Sequence, residues 1–511
     1  MNKKFNKNDI VDVHITDIGN DGEGIGHVDG YAIFVKGALP GDLVKAHILK
    51  AKKNFAFAKV EEIIEPSKNR VAPKCAIAEK CGGCSLQHMD YEAQLKWKEK
   101  KILECIKRIG GYEEDEFTYL NILGYYYELE SGDLGESTRK FPSRFRNKAQ
   151  FPVGVDKEGR LISGFFAGRS HSIIPTEDCL IQSEYSALIN KAVLEYMKEN
   201  NVRPYDEVNG TGVIRHIISR VAYFTDEIMV CIVINADKIK YEDGLIERLV
   251  ALNSSDIFVK NNKKICSISL NINREKNNVI LGIKTECIYG KSTIQDKIGD
   301  ILFNISPVSF FQVNPIQTKK LYDTVLDFTD FKGDETVYDL YCGIGSISLY
   351  VANHVKKVVG VEIVEKAIDD AKENAKLNHI SNAEFYAGAA EEVVPKLYEE
   401  SNGALRADVV IVDPPRKGCD EVLLDTIVKM EPEKIVYVSC DPATLARDLK
   451  ILREKGYKLV IARGTDMFCH SVHVETVALL NNKFAKAKDF VQIGIDAEDY
   501  YRIKDSEKKT E

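Results

Sequence analysis

Over the first 63 residues, apolar and polar positions alternate in short runs: DIVDVHITDI, GYAIFVKGAL, DLVKAHILKAKK and AFAKVEEII. Glycine and aspartate interrupt them in GNDGEGIG and LPGD. A period of two broken by turn residues predicts a small β-barrel over residues 1–63. Helical spacing replaces it in YEAQLKWKEKKILECIKRIG, residues 91–110, which stops at Gly110–Gly111. Residues 125–142 are polar and read as a loop. Residues 143–290 mix strand-like runs (AQFPVGV, RLISGFFAG, IMVCIVINA, SISLNIN, VILGIK) with one helix near 184–199, an α+β pattern. From about residue 306 strands and helices alternate. VYDLYCGIGSISLYVA reads as strand, Gly-rich turn and helix, VKKVVGVEI as a strand, and VEKAIDDAKENAKLN as a helix. AEFYAG, DVVIVDPP and IVYVSC are further short apolar strands. That alternation implies a doubly wound, mostly parallel sheet. The expected division is a barrel over 1–63, a central α+β domain over 64–300 whose helix 91–110 packs on the next domain, an α/β domain over 301–484, and a charged tail over 485–511.

A chain of 511 residues suits two to four domains. A hydrophobic share of 44% is enough to build their cores. No stretch approaches the roughly 18–20 apolar residues of a membrane span. The opening MNKKFNKNDIVDVHI has no apolar run behind its lysines, so no signal peptide is expected and the cytoplasm is the expected compartment. The net charge of −8 means that a polyanionic partner must meet a local basic patch. Two patches qualify. KAKKNFAFAK, residues 50–59, interleaves four lysines with two phenylalanines. Either the rings and lysines face nucleic acid, or the rings fill the barrel and the lysines are solvated. RKFPSRFRNK, residues 139–148, offers cations to phosphates and planar groups to a splayed base, or is a solvated strand edge. The segment GDLGEST before it, within 131–140, has the look of an insertion and no assigned role.

Chemistry concentrates in the last third of the chain. Asp339-Leu-Tyr-Cys-Gly343-Ile-Gly345 follows a strand and opens a helix, a setting in which glycines let a ligand approach the backbone. Glu362 ends the next strand, where nucleotide-binding α/β folds present a carboxylate to ribose hydroxyls. Ser348 stands where a dinucleotide fingerprint has its third glycine, which favours a ligand without a pyrophosphate. Asp413-Pro-Pro-Arg416-Lys-Gly418 lies at a strand end with its backbone stiffened by two prolines. Cys440, at the end of the next strand and before a helix, is expected to have a lowered thiol pKa and to act as a nucleophile; the alternative is a small buried hydrophobe. In Phe468-Cys-His470-Ser-Val-His473-Val-Glu475, the spacing does not put His470, His473 and Glu475 on one face, so Glu475 reads as a general base and the histidines as pocket walls.

FFQVNP (310–315), DLYCGIGSISL, VVGVE, DPPRKG, SCDPATLARD and HVET are similar, in order and spacing, to motifs of the RNA uracil-5-methyltransferase family. The likeness spans about residues 1–482 and looks nearest to the bacterial 23S rRNA members with a TRAM domain and an iron–sulfur cluster. It implies an OB-like TRAM barrel, a central α+β domain holding the cluster, and a Rossmann-like class I methyltransferase domain. Carried onto this chain, it implies S-adenosyl-L-methionine binding by Gln312, Tyr341, Gly343, Gly345, Ser346, Glu362 and Asp413. Ser346 stands where some members have asparagine. Cys440 would be the nucleophile that attacks uracil C6, and Glu475 the base that removes the C5 proton.

Twelve cysteines in no secreted framework fit a reducing compartment. Cys75-x5-Cys81-x2-Cys84 supplies three thiolates, and the resemblance points to Cys179 as the fourth. Four thiolates suit a [4Fe–4S] cluster or zinc, and the resemblance favours the cluster, in a structural role. The implied partner is RNA, with 23S rRNA preferred and transfer RNA the alternative. A reading of another class is a non-catalytic, RNA-binding or redox-responsive protein on a methyltransferase scaffold.

Overall fold

The computed structural model describes residues 4–125, 141–168, 170–400 and 406–483. GDLGEST, Arg139, Lys140 and the tail from residue 484 lie outside the described residues. Strands β1 (Ile10–Ile18), β2 (Gly24–Val28), β3 (Tyr31–Lys36), β4 (Leu43–Ala51) and β5 (Phe55–Glu65) close a barrel in the order β1-β2-β3-β5-β4. Alternate side chains, including Ile15, Ile33, Val35, Ala56 and Ala58, fill it. Because the alanines of β5 take the inside, Phe55 and Phe57 emerge on the outer wall beside Phe34, with ring centroids 5.4 to 5.7 Å apart. The rings of KAKKNFAFAK therefore do not fill the barrel, and Lys52, Lys53 and Lys59 are exposed.

Helix α1 (Tyr91–Arg108) starts at Asp90, whose side chain accepts the Glu92 N–H, and is followed by strand β6 (Thr118–Leu123). The central sheet then uses β7 (Lys148–Val155), β8 (Leu161–Phe166), β9 (Ile173–Pro175), β10 (Ile214–Val221), β11 (Glu227–Ile234), β12 (Lys264–Ile272) and β13 (Lys284–Gly290). Its order is β13-β12-β11-β10-β7-β8-β9. One face packs against α2 (Tyr185–Glu199), α3 (Glu242–Ala251) and α4 (Asp256–Lys260). VILGIK is not a strand: the side chains of Asn271 and Asn273 accept and donate to this segment's backbone, and the strand begins only at Lys284.

A hairpin, β14 (Ile294–Ile298) and β15 (Ile301–Ile305), leads into the C-terminal domain. Its Ile294, Ile298, Phe303 and Ile305 are buried in that domain's core, so the expected boundary at 300/301 falls inside one structural unit. The main sheet comprises β16 (Thr336–Leu340), β17 (Lys357–Glu362), β18 (Ala383–Ala387), β19 (Val409–Val412), β20 (Lys434–Ser439), β21 (Tyr457–Thr465) and β22 (Glu475–Asn482), joined by β6. The order is β18-β17-β16-β19-β20-β22-β21-β6. Strands β16 to β20 are parallel, and β22 runs antiparallel between β20 and β21. Helices α5 (Pro315–Thr329), α6 (Ser346–Ala352) and α7 (Glu365–Leu377) cover one face. Helices α8 (Ala390–Glu400), α9 (Glu421–Lys429) and α10 (Pro442–Glu454) cover the other, together with Ile102 and Ile106 of α1. An edge strand and a helix from early in the chain thus complete this layered domain. Among the described residues no helix is long and apolar enough to cross a membrane.

Candidate active site

The carboxyl ends of the parallel strands β16, β17, β19 and β20 lie on one edge of the sheet, the edge at which open α/β sheets present their ligands. The turn after β16 is built for close approach. Tyr341, Gly343 and Gly345 have φ of 70°, 56° and 80°. A Cβ on Gly345 would meet Phe385 at 3.1 Å and Ala371 at 3.2 Å, so only glycine fits. The N–H groups of Tyr341 and Cys342 bond the Val361 carbonyl at 3.0 and 3.1 Å, tying the turn to β17. Glu362 then accepts the Gly343 N–H at 3.2 Å and the Val364 N–H at 3.0 Å, which fixes its carboxylate at the end of β17 beside the turn. Ser346 opens α6, and its hydroxyl lies 2.9 Å from Tyr322 Oη. Ser348, the residue in the third-glycine position, has a purpose the sequence did not show: its hydroxyl donates to Asp339 Oδ2 at 2.5 Å. Asp339 is fully buried, its Oδ1 has no partner among the described residues, and burial pushes its carboxyl up to about 7. Gln312 is buried at the entrance to α5, beside the cap Asn314, and its backbone carbonyl accepts from Asn147 Nδ2 at 2.9 Å.

The two groups expected to do chemistry on the base, Cys440 and Glu475, come together beside Asp413, one of the expected cofactor ligands. Burial, then the charge of Asp339, pushes Asp413 up to about 7. Burial, then Asp413, pushes Glu475 up to about 8, while Arg416 pulls the other way. Glu475 is 3% exposed at the start of β22. The expectation of a lowered Cys440 pKa is overturned. Burial, followed by Glu475 and Asp413, pushes the thiol up to about 11, and Arg416 only partly offsets them. The helix N-terminus does not help the thiol, because Asp441 is the cap. Its carboxylate accepts the N–H groups of Ala443 at 2.9 Å and Thr444 at 3.3 Å. Cys440 sits one residue too early to share those donors.

Two clamps hold these loops. From α10, Asp448 accepts the Cys419 N–H at 2.9 Å and the Tyr437 hydroxyl at 2.6 Å. Arg447 donates to the carbonyls of Lys417 and Cys419, so the helix after Cys440 also shapes the loop after Asp413. The second clamp comes from α1. Lys98 and Tyr91 both bond the buried carboxylate of Asp466, and Gln94 accepts the His470 N–H at 3.1 Å. His470 is buried, has φ of 62°, and places Nε2 2.8 Å from the Pro142 carbonyl. It is a structural part of the segment leading to Glu475. His473 lies 3.4 Å from Arg416, and burial and that guanidinium push it down to about 4, so it is neutral. Sequence reading passed over Gln94 and Lys98. Their signal was two polar residues, with Tyr91, on the face of α1 that otherwise reads as core.

Cys179 lies about a hundred residues beyond Cys75, Cys81 and Cys84, yet the four feel one another. Burial, and then the neighbouring thiols, push Cys84 up to about 12. Cys81 forms an isolated bridge with Ala167 beyond β8, and Arg144 donates to the Cys179 carbonyl at 2.8 Å. Among the described residues no group of three or more His, Cys, Asp or Glu side chains is gathered in metal-ligating geometry, so the expected cluster has no support from distances.

Residues 253–483 match the family model of tRNA (uracil-5-)-methyltransferases, and residues 4–60 match the TRAM domain. An uncharacterized RNA methyltransferase of Halalkalibacterium halodurans is 45% identical over 478 residues, 94% of this chain and 98% of its own. The chain belongs to the RNA uracil-5-methyltransferase family. A second uncharacterized RNA methyltransferase, from Clostridium tetani, is 45% identical over 93% of this chain and 96% of its own. The crystal structure of the Pyrococcus abyssi tRNA (uracil-54, C5)-methyltransferase with S-adenosyl-L-homocysteine has 27% identity and a TM-score of 0.69, covering 92% of this chain and 99% of that one. As in other uracil-5-methyltransferases, S-adenosylmethionine is the methyl donor, and the barrel is a TRAM domain.

Proposed function

We propose that the protein methylates C5 of a uridine in 23S ribosomal RNA through a covalent bond between Cys440 and C6 of the base. The observation that carries this reading is the convergence of Cys440, Glu475 and Asp413 under one cation, Arg416, at the carboxyl edge of the sheet. Gln312, Tyr341, Gly343, Gly345, Ser346, Glu362 and Asp413 would hold S-adenosylmethionine, and the open turn with the Glu362 carboxylate fits a ligand that has ribose hydroxyls but no pyrophosphate. When bound, it supplies an electrophilic methyl group on a sulfonium. The chain's own groups do the rest. Cys440, once ionised, adds to C6 and makes C5 electron-rich. Glu475 removes the C5 proton after the methyl group has been accepted. The C6–S bond then breaks, restoring the uracil double bond and freeing the thiolate. A carboxylate titrating near 8 is a stronger base than an ordinary one, which suits a carbon-bound proton. The uridine must leave its stack to reach both groups.

A second reading, transfer RNA, draws on the Pyrococcus abyssi enzyme, nearly all of whose chain aligns here. Methyl transfer from labelled S-adenosylmethionine to unmodified ribosomal and transfer RNA, digested to nucleosides, separates the two. 5-Methyluridine in the large ribosomal RNA is the expected product. Its appearance in transfer RNA alone replaces the substrate.

Cys75, Cys81, Cys84 and Cys179 would hold a [4Fe–4S] cluster or zinc. In support, Cys75, Cys81 and Cys179 are all near enough to Cys84 to raise its thiol, and Arg146 stands beside Cys179 and Cys84 without a described carboxylate partner. Such a group would close loop 75–90 onto the central sheet. Cys81→Ser is expected to lower both bound metal and melting temperature. Metal content equal to that of the wild type removes Cys81 from the ligand set.

A further inference from the structure

Helix α1 carries a polar stripe whose last member, Lys101, ties three parts of the molecule together. Tyr91, Gln94, Lys98 and Lys101 stand three, four and three residues apart, which puts them on one face of the helix. Together they grip the segment that leads to Glu475. Tyr91 and Lys98 hold Asp466, and Lys98 also donates to the Phe468 carbonyl at 3.1 Å. Gln94 holds the His470 N–H. Lys101 Nζ donates to the Val472 carbonyl at 3.1 Å. The grip thus falls on alternate residues, 466, 468, 470 and 472, and ends just before the candidate base at the start of β22.

Lys101 has a second partner in the barrel. Its Nζ also donates to the Asn20 carbonyl at 3.3 Å, in the turn between β1 and β2, and lies 5.3 Å from the centre of the Trp97 ring. Trp97 packs against Ile18 and Leu39 of the barrel, with Val472 in the same cluster. The turn itself is closed by two bonds, from the Gly19 N–H to the Glu23 carbonyl at 2.7 Å and from the Gly22 N–H to the Gly19 carbonyl at 3.0 Å. Gly22 has φ of 84°, and a Cβ there would meet Val472 Cγ1 at 2.9 Å and Leu86 Cδ2 at 3.3 Å. Val472 is therefore held on its carbonyl by Lys101 and on its side chain by the barrel. Lys101 also stands close to the loop of the candidate nucleophile. Burial pushes its ammonium down, and Asp441, next to Cys440, is the first of the charges that oppose this. A partly buried ammonium with two carbonyl acceptors is held more firmly than a solvated one, because losing either bond strands charge away from water.

We propose that Lys101 is a positioning residue for Glu475, with the barrel turn Gly19–Gly22 as the stop against which it holds the Val472–Glu475 segment, so that the barrel takes part in the chemical step. This rests on the reading of Glu475 as the base that resolves the Cys440 adduct. Full-length Lys101→Met, Lys101→Arg and Lys100→Gln variants test it. Lys100 also bonds the barrel, in an exposed pair with Asp17 at 3.1 Å, and serves as the control. With unmodified ribosomal RNA and S-adenosylmethionine saturating, Lys101→Met is expected to form 5-methyluridine about tenfold more slowly, to bind the RNA like the wild type, and to accumulate the Cys440–RNA adduct on a denaturing gel. Lys101→Arg, still able to donate to both carbonyls, should recover most of the rate, and Lys100→Gln should keep it. A wild-type rate in Lys101→Met, or weaker RNA binding with the saturated rate unchanged, overturns the proposal. So does slow product without the adduct, which would put the defect before proton removal. Hydrogen exchange needs no turnover: the amides of residues 472–476 should exchange about fivefold faster in Lys101→Met than in the wild type. Faster exchange with no product from the wild type overturns the reaction alone. Unchanged exchange with product from the wild type overturns the positioning alone.

Discussion

Cys440→Ala is expected to lower 5-methyluridine formation by about 10⁴-fold or more, with binding of S-adenosylmethionine retained. The thiol acts on the uracil, whereas the candidate cofactor contacts come from the turn after β16 and from Glu362. Equilibrium binding of the cofactor and nucleoside analysis of the product check the two halves. A variant that turns over like the wild type ends the covalent proposal. The raised thiol pKa adds a second expectation. With a value of about 11, only about one thiol in 10⁴ is ionised at pH 7. Alkylation of Cys440 by iodoacetamide in the free protein should therefore climb tenfold per pH unit across the neutral range. Glu475→Gln removes one of the charges that raise the thiol, so the same profile should move to lower pH. An unmoved profile would mean that Glu475 does not face Cys440.

Glu475→Gln is expected to slow turnover by about 10² to 10⁴-fold and to leave the protein covalently attached to RNA, visible as a shifted band on a denaturing gel. Addition and methyl acceptance need no base at C5, whereas release does. Absence of the adduct from a slow variant points to another base. In the wild type, the base form of Glu475 appears as pH rises through about 8, so the rate should increase across pH 6 to 8. Stability runs the other way. The folded carboxyl is raised above its ordinary value of about 4.5, so the folded state holds a proton that the unfolded chain has released. That contribution is complete below about 4.5 and is lost as pH climbs through about 8. The gain in melting temperature of Glu475→Gln over the wild type should thus be larger at pH 9 than at pH 5. An equal difference at both would show that Glu475 titrates normally.

Local patterns carried much of the architecture because they report which side of an element is buried. Alternation in DIVDVHITDI and GYAIFVKGAL foretold β1 and β3, and the apolar stripe of residues 91–110 foretold α1. The turn glycines were legible because a positive φ leaves few other residues. VILGIK misled, since an apolar run does not reveal that neighbouring asparagine side chains capture its backbone.

The sequence by itself determined the residue types of the site, their order, and the family, since the motifs at 310–315, 339–349, 413–418, 439–448 and 473–476 each sit on a strand end or helix start that local periodicity places. Only the tertiary structure decided their electrostatics and their company. Whether Cys440 is acidic or basic depends on which charges surround it, and the residues that raise it, Glu475 and Asp413, lie 35 and 27 positions away. The outward turn of Phe55 and Phe57 follows from which neighbours fill the barrel, and the joining of β6 to β21 from an edge left open by a strand formed more than 300 residues later. The company of Lys148 has the same origin: it meets Arg220 only because β7 and β10 are neighbours in the sheet, a long-range pairing that no local period encodes.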